Sequence, residues 1–324
     1  MDLQPPEARE SWLAWNRVLT GMIKMRVLAP LVLYASKLAR SGMDASDPNL
    51  GWYSLLVFYA YPVQLYFNFS GYTDAAIGSA RLLGFKLPEN FNRPYLARNV
   101  LDFWNRWHMS LTHWIRDYVF MASYKAAATK YPRWARSWSY GLLFLALFIT
   151  GIWHGTTSGF IVFGVLNGIG AAANRAYGDV LKAVLGRSGV ERYLGNRLIR
   201  CLAIVATFHY VCFCHLAFSA DPNWSAWVVF TDAAQQVMQI VPALARLHWT
   251  AAGLAAAVAV SLLLAGLWKA DSLGLIAARL SAWLIRGTLR VPAIVCIQIV
   301  VMTLLFFLDW TVEQAPPRVV YMRF

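Results

Sequence analysis

Charge is scarce in this sequence, and acidic charge most of all. Its 324 residues carry 16 Asp and Glu against 29 Lys and Arg, so only 14% are charged. A soluble domain carries about 25%, and mean hydropathy here is +0.47. An ordinary soluble domain is excluded, and an integral membrane protein is indicated. Cysteine is also sparse. Cys201, Cys212, Cys214 and Cys296 all fall in apolar runs. The "CFC" spacing places one residue between cysteines, fewer than a zinc site uses. These cysteines read as small buried apolar residues, with no disulfide framework and no metal site implied. The sequence has no G-x-S-x-G elbow, no H-E-x-x-H pair and no P-loop. It has no internal repeat or low-complexity tract. Residues 1–17, "MDLQPPEARESWLAWNR", are polar and lack the apolar core of a signal peptide. Insertion is therefore expected to rely on the spans themselves.

What is abundant is uninterrupted apolar sequence. Residues 49–73 contain no Asp, Glu, Lys or Arg, and neither do residues 137–174, a run long enough for two passes. Residues 201–220, 247–268 and 291–308 are further candidates. Residues 18–36 are interrupted by Lys24 and Arg26, and residues 225–245 are amphipathic enough to lie in the interface. The net charge of +13 has two readings. Cytoplasmic loops of membrane proteins collect Lys and Arg, and a basic face attracts acidic partners such as anionic lipid or an acidic carrier protein. Nucleic acid is not expected as a partner, because no soluble basic domain is present to bind it.

Breakers divide the chain. "LQPPEARESW" suits a proline-initiated helix start, and residues 37–48, "KLARSGMDASDP", suit a polar loop. A helix is expected over about 50–67, a break in "FSGYTD" at Gly71, and resumed helical spacing from 74 to Gly84. Pro88 and Pro94 exclude a continuous helix through "KLPENFNRPYL". Residues 121–136 hold Lys125, Lys130, Arg133 and Arg136 without an acid, and read as a cytoplasmic loop.

Residues 103–120, "FWNRWHMSLTHWIRDYVF", set two histidines and three charges beside apolar spans. The pattern over 99–120 is helical. On one helix Trp104, His108 and Ile115 share a stripe, while His113, five residues beyond His108, points about 140° away. Arg106, Arg116 and Asp117 would each be costly against hydrocarbon. The segment therefore has to be shielded by protein, line a wet cavity or lie at the interface, and charge pairing is the expected role of these three residues. The tryptophans suit an interfacial or re-entrant placement.

His154, in "TGIWHGTTSG", stands within the long uncharged run between Gly151 and Gly155. Those glycines permit a helix break and close backbone approach. An ionisable side chain inside a span is a functional candidate by default. The plainer alternative is a neutral histidine bonded to a neighbouring helix or sitting at a span end. A neutral imidazole can take the proton of a hydroxyl and make it nucleophilic. His209 and His215 in "TFHYVCFCHLAFS" suit helix packing or support of a site, and His248 suits an interfacial position.

The stretch "FSGYTDAAIGSARLLGFKLPENFNRPYLARNVLDFWNRWHMSLTHWIRDYVF", followed by "TGIWHG", resembles the membrane-bound O-acyltransferase family. The resemblance is close over about residues 66–170. "TFHYVCFCHLAFS" is similar to the branch that exports D-alanine onto teichoic acid, and "VVYMRF" to the alginate O-acetylase branch. The resemblance implies an all-α integral membrane protein in a bacterial inner membrane. It implies a multi-pass ring of tilted helices around a central tunnel, with re-entrant or interfacial helices, and residues 1–324 as a single acyltransferase domain. It also implies His154 as the essential histidine and His108 as its partner, with Trp153, Trp104 and Asn105 on the tunnel wall. No bound cofactor is implied. The acyl donor would be a cosubstrate, a thioester on a carrier protein or on coenzyme A, and the acceptor an extracytoplasmic glycan or teichoic-acid-like polymer. Members of these branches usually begin with additional spans, and this chain starts after that part would end. Two other readings stand beside this one: a transporter in which the histidines relay protons, and a shortened, non-catalytic member.

Overall fold

The computed structural model describes residues 7–41 and 50–245, and every regular element among them is helical. Among the described residues, three helical stretches, Arg9–Ala39, Pro132–Trp153 and Arg197–Phe218, are long and apolar enough to cross a membrane. The expected spans at 247–268 and 291–308, together with His248 and Cys296, lie outside the described residues. The described chain forms two compact units, one of residues 7–41 and 59–89 and the other of residues 50–58 and 90–245.

In the first unit, α1 (Ala8–Ile23) passes through a π-helical turn, Lys24–Leu28, into α2 (Ala29–Ser41). Residues 37–41, expected in a loop, continue this helix. α3 (Leu50–Leu82) runs unbroken through "FSGYTD", contrary to the break expected at Gly71. Gly71 serves close approach instead. A Cβ there would lie 2.6 Å from the carbonyl oxygen of Gly21, and one on Gly21 would lie 2.4 Å from that of Gly71. Small residues let two helix backbones meet in this way. Beside this contact, Lys24 Nζ reaches Asp74 Oδ2 at 2.7 Å, and Arg17 Nε donates to Asp74 Oδ1 at 3.1 Å. Arg17 also pairs with Glu89. Lys24, which interrupts the apolar run in sequence, is thus buried and neutralised.

The second unit holds the histidines. As Pro88 and Pro94 require, the chain is non-helical before a short 3₁₀ turn at Pro94–Leu96. α4 (Val100–Trp104) follows, capped by Asn99, whose side chain accepts from the Asp102 N–H. The single helix expected over 99–120 is interrupted here. Residues 105–108 form a turn, and His108 adopts φ 43°, a left-handed conformation uncommon outside glycine. α5 (Met109–Trp114) restarts the helix, which widens to a π-helix at Ile115–Met121. The proposed stripe of Trp104, His108 and Ile115 therefore does not exist. α6 (Ala122–Lys130) occupies most of the segment read as a loop.

α7 (Ala135–Trp153) and α8 (Ser158–Gly195) pack antiparallel, with Gly151 against Gly164 at one end and Arg136 on Asp179 at the other. Gly186, at φ 63°, interrupts α8 and turns its last residues back. Tyr177 and Tyr193, on either side of that turn, share a hydrogen bond of 2.7 Å. α9 (Arg197–Phe218) returns along α8, with a Cβ on Gly159 only 2.6 Å from the carbonyl of Ala217, and α10 (Ala226–Ala245) packs on both. Cys212 and Cys214 are buried as expected, but Cys201 is exposed, because it lies on the outward face near the start of α9.

Candidate functional site

His154 caps the C-terminus of α7, where Gly155 (φ 144°) lets the chain turn into α8. The helix break expected from the flanking glycines is present. Gly151 has the second expected role: a Cβ there would lie 2.5 Å from Gly164 Cα, so glycine permits the two helices to meet beside the histidine. The imidazole is half-buried in an aromatic enclosure. Its centroid lies 4.9 Å from Phe218, 5.9 Å from Phe160 and 6.5 Å from Phe163.

Trp153 joins the two histidines. Its ring lies 4.8 Å from His154 and 6.3 Å from His108, edge to face with both. His108 is also held by Asn90. The Asn90 side-chain oxygen accepts from the Ser110 N–H at 3.0 Å and from Ser110 Oγ at 2.8 Å. That oxygen also lies 3.3 Å from His108 Nδ1, and Ser110 Oγ lies 3.5 Å from the same nitrogen. The Asn90 carbonyl also accepts from the Met109 N–H at 3.0 Å, which ties the loop to the left-handed turn. Burial pushes the His108 imidazole down to about 4, so it is neutral near pH 7.

Trp104 and Asn105 sit differently. Trp104 is buried and donates its indole N–H to Asn167 Oδ1 at 3.1 Å. Together with Asn105 it lines a mostly apolar cavity of about 210 Å³ that extends to Thr112 and Thr150. Neither histidine lines that cavity. Trp104 approaches His154 through Phe163, 6.3 Å from its ring. Arg106 pairs with Asp102 at 2.7 Å, and Arg116 with its neighbour Asp117 at 2.8 Å. Charge pairing is found for all three residues, though the second pair is local and exposed.

His215 is buried against Trp107 at 5.4 Å and Phe163 at 5.9 Å, whereas His209 is half-buried and bonded to the Val205 carbonyl. Phe163 thus touches His154, His215, Trp104 and Phe218. Sequence reasoning missed Phe163, Phe218, Asn90 and Asn167. The aromatic pair is indistinguishable in sequence from other span phenylalanines, and the asparagines act through partners 18 and 63 residues away. Among the described residues, no three His, Cys, Asp or Glu side chains converge as a metal site would require.

A half-buried imidazole at a helix break, joined through Trp153 to a second neutral imidazole, suits proton transfer to or from a hydroxyl. The family model described as "MBOAT, membrane-bound O-acyltransferase family" matches residues 21–264, three quarters of the chain. The chain belongs to the membrane-bound O-acyltransferase family. Relatives within reach of this family assignment include a teichoic acid D-alanyltransferase of Bacillus subtilis, 38% identical over 52% of this chain and 42% of the relative. A probable alginate O-acetylase of Azotobacter vinelandii is 37% identical over 50% of this chain and 30% of the relative. A peptidoglycan O-acetyltransferase of Helicobacter pylori is 42% identical over 36% of this chain and 21% of the relative. The chain spans less than half the length of these relatives.

Proposed function

We propose that this chain carries the acyl-transfer centre of an enzyme that moves an activated acyl group, of the acetyl or D-alanyl class, onto a hydroxyl of an extracytoplasmic polymer. The observation that carries this reading is the placement of His154 at the α7–α8 break, with Trp153 between it and His108. The family membership and the relatives' names support it. His154 takes the proton of the acceptor hydroxyl. The oxygen attacks the acyl carbonyl carbon, a C–O bond forms as the C–S bond of the thioester breaks, and the departing thiolate recovers the proton from His154. His108, held by Asn90 and joined to His154 through Trp153, supports the site by hydrogen bonding or by polarising the acyl carbonyl. The donor is a thioester on a carrier protein or on coenzyme A. Trp153, Trp104 and Asn105 line the path within a ring of tilted, partly re-entrant helices in a bacterial inner membrane, crossed several times.

The test is ester-linked acyl content of the cell envelope, measured by alkaline release and mass spectrometry. Cells with the protein, cells without it, and cells with His154→Ala at equal membrane abundance are compared. Loss of one released acyl species in both defective strains is expected, and its mass names the acyl group. An unchanged profile at normal protein levels would reject acyl transfer by this chain.

A further inference from the structure

The second unit has a larger cavity, which shares only Asn105 with the residues named for the acyl-transfer path. It is a cleft of about 700 Å³ between α4, the second half of α8, the turned-back end of α8 and the first turns of α9. Five cations line it (Arg98, Arg106, Arg175, Lys182 and Arg200) against two carboxylates, Asp102 and Asp179. Both carboxylates already have partners. Asp102 holds Arg106, and Asp179 takes Arg136 at 3.1 Å and Arg175 at 3.8 Å, with the Tyr140 hydroxyl at 2.9 Å. Arg98, Lys182 and Arg200 are exposed and have no carboxylate partner among the described residues. The cleft therefore presents uncompensated positive charge.

Its depth in the membrane follows from the helices around it. α9 is a candidate span that begins at Arg197, and the stretch through α7 begins at Pro132, so Arg200 and Arg136 stand at span ends. Asp179 lies roughly 30 Å along α8 from Ser158, about one hydrocarbon thickness from the His154 turn. Exposed Leu194 and the hydrogen-bonded Tyr177 and Tyr193 line the cleft, the tyrosines as aromatic side chains do at a membrane–water boundary, and Leu198 and Leu202 are exposed on neighbouring positions of α9. Gly186 shapes the outer wall, because its positive φ folds the end of α8 back.

We infer that this cleft binds the phosphodiester headgroup of an anionic membrane phospholipid, with the exposed leucines against its acyl chains. Basic pockets between membrane helices on the positively charged side recognise such headgroups. A soluble phosphate would find the same cations; the position of the cleft at the ends of two candidate spans, where headgroups lie, favours the lipid.

The full chain is placed in nanodiscs of phosphatidylcholine and in nanodiscs containing phosphatidylglycerol, and its thermal unfolding midpoint is measured. Phosphatidylglycerol is expected to raise the midpoint by about 5 °C, and about 1 M salt to remove the rise. The double substitution Arg98→Ser, Arg200→Ser is expected to abolish the rise, and Arg98→Lys, Arg200→Lys to keep most of it. Persistence of the rise in the serine variant would overturn the site. Equal stabilisation by inorganic pyrophosphate in phosphatidylcholine would overturn the lipid in favour of a soluble phosphate. Neither measurement requires acyl transfer, so the outcome is independent of the proposed catalysis.

Discussion

The indole N–H of Trp104 donates to the side-chain oxygen of Asn167 at 3.1 Å, with both residues buried. The Asn167 amide in turn donates to the Phe163 carbonyl one helical turn back. This pair fastens α4, which leads into the His108 turn, to α8, which carries the Phe163 wall of the His154 enclosure. Replacing Asn167 by Ala strands the Trp104 donor in an apolar setting, a loss of about 2 kcal/mol. Thermal unfolding in detergent is expected to show that loss. Trp104→Phe, which removes the donor but keeps the ring, is expected to cost less than Trp104→Ala.

Two glycines on α7 separate close packing from helix propensity. Gly151→Ala places a methyl 2.5 Å from Gly164 Cα, so α7 and α8 must separate. A destabilisation of about 1–3 kcal/mol is expected, together with lost acyl transfer as the His154 turn shifts. Gly141→Ala meets nothing within 4 Å. It is expected to stabilise by up to about 1 kcal/mol with activity retained. A matched pair of unfolding midpoints and acyl-release assays decides both.

Burial holds the His108 imidazole near 4, below its ordinary value of 6.5. The unfolded chain therefore binds a proton between these values that the folded chain does not. By linkage, the contribution of this imidazole to stability is full above about 6.5, falls as pH drops toward 4, and is lost below. His108→Gln is expected to flatten this part of the profile of midpoint against pH. An identical slope in the variant would show that another group causes it.

Lys24 is buried with Asp74 as its carboxylate, and Arg17 shares that carboxylate. Asp74→Ala leaves a buried ammonium uncompensated, with an expected loss of about 3–5 kcal/mol. Lys24→Met in the same background is expected to recover most of it, because the apolar chain then packs without a counter-charge. Membrane-fraction yield and resistance to proteolysis are suitable readouts.

Composition alone determined that this is a helical membrane protein, because scarce charge and long apolar runs suit little else. Local chemistry determined the break at His154, since the glycines on either side act within a few residues. Pro88 and Pro94 fixed the non-helical stretch for the same reason. The single helix drawn through 99–120 failed at His108. Its left-handed backbone is stabilised by Asn90, which no periodicity within the segment encodes. Gly71 was misread as a breaker because its reason for being glycine is Gly21, fifty residues earlier on another helix. Lys24 interrupts the apolar run in sequence, but Asp74, fifty residues on, neutralises it in the fold. Propensity and hydropathy act over a few residues and are written in the sequence. The enclosure of His154 by Phe163 and Phe218, the Trp153 bridge to His108 and the basic cleft beyond α4 arise from packing between distant helices, and only the tertiary structure decided them.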